Sequence, residues 1–289
     1  KNKHQLNEMM QVPRSVFTSC QSRALPRGYL LASQSNTSSF FSSNSSKIPF
    51  YGEAIPSNQH QSDAHNNEFS HGELTPLQKL TVALRSATIA FNNPERADAV
   101  AVLGEVTGHV ALSQMHDRMM GDKTGRRILA ERPLVDQTTL RLDDLSAKPG
   151  TFGHTYAEFM KHHNFDPNDR HKVTYIQDPD LAYIMTRYRQ NHDFWHALTG
   201  LPPTVLGELG LKWLELVQTG LPVAALSATV GSLRLSEDEK RILWDVYLPW
   251  AIRVGKEAEF LMNVYYEEEF EVELSVLRDR LRIEAVPEC

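Results

Sequence analysis

From Thr75 onward the apolar positions suit helices, and the punctuation between them is that of helix ends. Thr75-Pro76-Leu77-Gln78 combines a capping hydroxyl, Pro at the first helical position and Gln three residues after the cap. Asn93-Pro94-Glu95 predicts a second start of the same kind, and Gly108 and Gly121 punctuate the stretch after it. The loop Ala147 to Gly150 leads into a predicted helix from Thr151 to about His162. Asp178-Pro179-Asp180 opens another to about Leu198, closed by Gly200 in a C-cap position and by Pro202-Pro203, which forbid continuation. The next helix starts at Pro203-Thr204 and ends near Gly220; one more starts at Pro222. Ser236 to Glu239 is a capping box, Pro249 a kink or break, and an amphipathic stretch runs from about Phe270 to Ile283. Val173–Ile176 is the sole strand candidate. The expected fold class is all-α, a single helical domain over 73–285 with a tail at 286–289.

Composition changes the picture before residue 73. From Met9 to Gly52 there is no Asp or Glu, while Arg14, Arg23, Arg27 and Lys47 are present and Ser is dense. That is the composition of a mitochondrial transit peptide, so 1–72 is expected to be a targeting segment and disordered linker. The net charge of −6 on 289 residues leaves no electrostatic footprint for nucleic acid. Cys20 and Cys289 sit far apart and form neither a disulfide framework nor a metal pair. The longest uncharged run in the expected folded region, Leu216 to Leu233, is broken by polar residues, Gly and Pro and does not read as a membrane span.

The chemistry is concentrated in Asn191-His192-Asp193-Phe194-Trp195-His196 and in Glu208. On a helical wheel with His192 at zero, His196 falls at about 40° and Asp193 at about 100°, all within one arc. Two imidazoles four residues apart is a metal-binding spacing, although the Glu of the metalloprotease motif is absent. A short loop after His196 favours an antiparallel hairpin that brings Glu208 to the same level from the facing helix. Two nitrogens and two oxygens suit Zn, Fe(II) or Mn; a buried hydrogen-bond network without metal is the competing reading. Arg189, at about 60° on the same wheel, reads as an anchor for a substrate carboxylate, as a partner of Asp193, or as a solvated charge. Met185 reads as core. Arg126, Arg127 and Arg132 read as a solvated basic cluster, and Glu267-Glu268-Glu269 as solvent-facing. Apolar residues from Val205 through Leu233 cover more than one helical face, which suits core or a groove for a lipid tail.

At these residues the chain resembles the coenzyme Q biosynthesis protein 4 family, whose hallmark His-Asp-x-x-His, eleven residues, then Glu is matched by His192, Asp193, His196 and Glu208. Gly125-Arg126-Arg127-Ile128-Leu129, Gly150-Thr151-Phe152-Gly153, Leu181-Ala182-Tyr183 and Leu261-Met262-Asn263-Val264-Tyr265-Tyr266 agree as well, and the likeness covers about Leu74 to Ile283. The resemblance implies a helical protein lying peripherally on the matrix side of the mitochondrial inner membrane. It implies a divalent metal, zinc first with Fe(II) and Mn as alternatives, on the four motif residues. It implies a lyase of ubiquinone biosynthesis, which removes the C1 carboxylate of 4-hydroxy-3-methoxy-5-polyprenylbenzoate in a step coupled to C1 hydroxylation. The implied partners are other ubiquinone-biosynthesis enzymes in a multi-subunit complex and polyprenylated ring intermediates, with homo-oligomerisation left open. The alternative from a different class is a non-catalytic scaffold that binds prenyl lipids around a structural metal. A metal phosphohydrolase would need further ligands, and His109, His116-Asp117 and His154 have no supporting spacing.

Overall fold

The computed structural model describes residues 75–92, 96–136, 140–170 and 172–287. The expected targeting segment 1–72, the helix start at Asn93–Glu95 and the last two residues of the chain lie outside the described residues. The described chain is all-α. Its helices are α1 (Pro76–Asn92), α2 (Ala97–Thr107), α3 (His109–Gly121), α4 (Lys123–Glu131), α5 (Leu142–Ser146) and α6 (Phe152–His163). They continue with α7 (Pro179–Thr199), α8 (Val205–Thr219), α9 (Pro222–Gly231), α10 (Glu237–Ile242), α11 (Leu248–Glu257) and α12 (Leu274–Leu281).

The caps follow the sequence closely because they are local chemistry. The Asp178 side chain accepts from the amides of Asp180 and Leu181 at the start of α7, and Thr204 accepts from Gly207 N at the start of α8. Gly200 and Gly220 end these two helices at φ of +77° and +71°, the left-handed region open to glycine. Ser236 and Glu239 form the reciprocal capping box. Pro249 produces no break at its own position. The helix relaxes one turn earlier into a π-helical segment, Leu243–Tyr247, and α11 continues through the proline.

Two expectations fail. Val173–Ile176 forms no strand; the amides of Thr174 and Tyr175 donate instead to the Glu105 carboxylate, which satisfies them without a ladder. The helix expected from about Phe270 begins only at Leu274. Before it, the backbone bonds to the start of α6: Phe152 N donates to Val272 O and Gly153 N to Phe270 O. Backbone pairing with a distant segment displaces the local helical bonds there.

Helix α7 runs through the core. It packs against α3, α4 and α6, and nearly all its residues from Leu181 to Thr199 are buried. Phe194 sits against Phe152, Tyr156, Tyr266 and Phe270, and the Trp195 indole donates to Tyr266 Oη. Helix α8 packs on α9 and α11. A helix so polar in composition can be central only because each buried charge finds a partner. The fully buried Arg187 guanidinium is held by Glu267 and by the Val264 carbonyl. That pairing corrects the solvent-facing reading for Glu267, and Glu269 is likewise partly buried against Arg280; Glu268 is exposed as expected and meets Arg127 at the surface.

Candidate metal centre

Tyr188, His192 and His196 recur every four residues on α7. Glu208, Lys212 and Glu215 recur at four and three on α8. Each set therefore forms one stripe. The stripes meet antiparallel: His196 is level with Glu208, His192 with both Glu208 and Glu215, and Tyr188 with Glu215. This is the hairpin geometry predicted from the short loop.

The ring nitrogens are sorted by their outer partners. His196 Nδ1 lies 2.8 Å from the Leu201 carbonyl, which only accepts, so Nδ1 carries its proton and Nε2 faces inward. His192 Nδ1 lies 2.6 Å from Glu215 Oε1, which orients that ring in the same manner. The two Nε2 atoms are 3.2 Å apart, and Glu208 Oε1 is 3.1 Å from His196 Nε2. Glu208 Oε2 is 3.3 Å from His192 Nε2, is buried, and accepts no hydrogen bond. Ligand atoms of His192, His196 and Glu208 all lie within 4.8 Å of one another, and the residues are 3%, 1% and 4% exposed. Phe159 stacks on the His196 ring and helps close the site.

Three electron-pair donors thus converge where water is scarce, and something positive has to sit among them. Burial and the neighbouring Lys212 ammonium oppose a charge on His192, yet the Glu208 and Glu215 carboxylates outweigh them and raise its pKa to about 9. Burial would raise Glu208, but His196 and His192 hold it well below the usual carboxylate range. Glu215 is likewise lowered to about 2, because Lys212 and His192 overcome its burial. One proton can satisfy part of this arrangement; it leaves Glu208 Oε2 orphaned. A divalent cation would use that oxygen and both Nε2 lone pairs, so the donor set fits a metal.

Asp193 is not brought to the cluster. Its carboxylate turns to the side of α7 where Arg170 packs, and pairs with that guanidinium. Arg189 is buried and donates to Glu105 Oε1 and to the Ala101 carbonyl, each at 2.9 Å, which corrects the solvated reading. The sequence reading missed Lys212, Glu215 and Tyr188. Lys212 Nζ lies 2.8 Å from Glu215 Oε2, on which Tyr188 Oη also converges. Charges spaced four and three apart after Glu208, inside an otherwise apolar helix, were the available signal.

The family model of the coenzyme Q (ubiquinone) biosynthesis protein Coq4 matches residues 69–287. The chain belongs to this family. A human Coq4 relative, the ubiquinone biosynthesis protein COQ4 homolog, mitochondrial, is 42% identical over 229 residues, 78% of this chain and 86% of that protein. The mitochondrial COQ4 of Arthroderma otae is 44% identical over 224 residues, 77% and 84% of the two chains. A solved structure from Nostoc punctiforme superimposes with a TM-score of 0.56 at 24% identity, covering 70% of this chain and 95% of that one, and shares the fold. The Coq4 match spans the whole metal-type cluster, from α7 through α8.

Proposed function

We propose that this Coq4 chain removes the C1 carboxylate from a polyprenylated 4-hydroxybenzoate ring of ubiquinone biosynthesis, using a divalent metal held by His192, His196 and Glu208. The observation that carries the reading is the convergence of two carboxylate- or carbonyl-oriented imidazoles with an orphaned carboxylate oxygen. Asp193, the fourth residue of the motif, completes the set only by giving up Arg170. The names of the relatives support a mitochondrial setting. None of the helices is long and apolar enough to cross a membrane among the described residues. Peripheral attachment to the matrix side of the inner membrane, and organisation of a biosynthetic complex, belong to the same proposal.

The surroundings suit a prenylated aromatic acid. Lys212, in contact with His192, also borders a narrow space with Arg189, Tyr188 and Met185. That space shares Val100, Val223 and Ser227 with an apolar cavity of about 360 Å³ between α1, α2 and α9. The cavity is the candidate tail site, and the cationic end beside His192 the candidate head site. Arg189 would take the substrate carboxylate in exchange for Glu105. Heterolysis of the C1–carboxylate bond releases CO2 and leaves its electron pair on the ring. A bound metal would supply Lewis-acid stabilisation of that charge. Proton delivery falls to the Lys212, Tyr188 and Glu215 group. The coupled hydroxylation needs an oxidant and a redox metal, which favours Fe(II) over zinc for that version.

The test is turnover of a carboxylated polyprenyl-phenol by the purified chain, first metal-free and then reloaded with Zn or Fe(II). Metal-dependent CO2 release is expected; a folded, loaded chain that releases none sinks the enzymatic reading. One observation favours a second reading. The donor set is almost wholly buried, as in structural metal sites, and a scaffold that binds prenyl lipids would then remain.

A further inference from the structure

Helix α1 is built inside out. Leu77, Leu80 and Leu84 fall within about 60° of one another on its wheel, and they are 73%, 55% and 61% exposed. The face turned to the protein carries no leucine: Ser86 is buried, and Val82, Ala83, Ala87, Ile89 and Ala90 are partly so. Burying the leucines would be the ordinary choice for a helix packed on a core. Across the apolar cavity, Leu226 of α9 is exposed, as is Leu233 just beyond that helix. Leu84 and Leu226 are exposed and also line the cavity, so its mouth opens within this leucine face.

The charges carried by the two segments that bear these leucines have one sign, and Arg234 lines the cavity itself, while Lys79 and Arg85 flank the leucine stripe. Segments 76–92 and 222–236 contain Lys79, Arg85 and Arg234 and no Asp or Glu, in a chain whose net charge is −6. The acidic turn after Ser236 is already engaged, Glu237 with Lys240, Asp238 with Arg241 and Glu239 with Ser236. A second copy docked face to face would bring the Arg234 guanidinium of each chain to one contact, with no carboxylate in either segment to meet it. Anionic lipid headgroups supply the missing counter-charge, and acyl chains take up exposed leucines.

We propose that the leucine face of α1, together with Leu226 and Leu233, docks on an anionic lipid bilayer, so that the apolar cavity opens directly into the acyl-chain layer. This deepens the peripheral-membrane reading above and rests on it. A polyprenyl tail would pass from the bilayer into the cavity without crossing water. The proposal does not depend on which reaction the buried cluster performs.

The experiment uses the full chain and vesicles of phosphatidylcholine with and without cardiolipin. Flotation compares the wild type with Leu77→Ser/Leu80→Ser/Leu84→Ser, whose fold is checked by circular dichroism. In parallel, an environment-sensitive dye is placed at Leu80→Cys, or at Val110→Cys on another exposed site, in a Cys20→Ser/Cys289→Ser background. The triple variant is expected to partition on the order of a hundredfold less well. A blue shift is expected at position 80 and not at 110, and stronger with cardiolipin. A chain that floats while position 80 stays in water, or whose triple variant binds equally well, overturns the face and leaves peripheral attachment standing. A wild type that does not float overturns both. A dimer that the triple variant dissolves, with no dye shift on vesicles, overturns the bilayer in favour of a second copy.

Discussion

Each histidine of the cluster owes its role to an atom on its outer edge. Glu215 and the Leu201 carbonyl hold the two Nδ1 atoms, which leaves both Nε2 atoms to the shared space. Glu215 accepts from Lys212 and Tyr188 as well, so it ties three side chains together. Glu215→Gln is expected to weaken metal binding by roughly 10- to 100-fold, the usual effect of removing an orienting partner. Competition against a chelator measures it, and unchanged affinity would mean that His192 is oriented by packing alone. In the same titration His196→Ala should abolish binding, whereas Asp193→Asn should weaken it less, because Asp193 is engaged by Arg170. Equal losses for these two variants would put Asp193 among the ligands. The placing of His192 and His196 was legible in the sequence because helical geometry fixes it, and the level of Glu208 because the loop between the two helices is short. The side of α7 that Asp193 takes was not, since the wheel left it within reach of the same arc and only the packed neighbour Arg170 decided it.

At the level of elements, the junction between α7 and α8 sets the position of Glu208. Gly200 ends α7 in the left-handed region, Pro202 and Pro203 turn the chain, and Thr204 caps α8. Gly207 lies so close to this turn that an added Cβ would sit 2.0 Å from the Pro202 carbonyl oxygen. Gly207→Ala therefore has to shift the first turn of α8, and Glu208 is the next residue. The expected cost is about 1–3 kcal/mol of stability, together with a several-fold loss of metal affinity. Thermal unfolding and the chelator titration check the two effects; a stability loss with unchanged affinity would show that Glu208 adapts. Caps and the Pro202-Pro203 stop were readable in sequence to within a residue or so, because hydroxyls, glycines and prolines act on their own backbone, whereas Pro249 is absorbed by the π-helical turn before it. The late start of α12 was not readable, because Phe270 and Val272 use their carbonyls to cap a helix more than a hundred residues upstream.

The whole molecule is organised around a polar helix in an apolar interior, and its buried ion pairs hold that arrangement. Arg187 is completely buried and depends on Glu267. Glu267→Ala leaves that guanidinium without its carboxylate and is expected to cost about 3–5 kcal/mol, read from denaturant unfolding; a loss below about 1 kcal/mol would mean that water reaches Arg187. The amino-acid sequence by itself determined the helical class, most helix ends, the His-x-x-x-His stripe and the level of Glu208, since these depend on periodicity and local hydrogen bonding. Tertiary structure alone decided which charges are buried and with whom: Arg189 with Glu105, Arg170 with Asp193, Glu267 with Arg187, and His192 with Glu215. It also decided that α1 turns its leucines outward beside an open cavity. Pairings between residues tens of positions apart carry no signature in local spacing, because they are selected by which faces of distant helices meet.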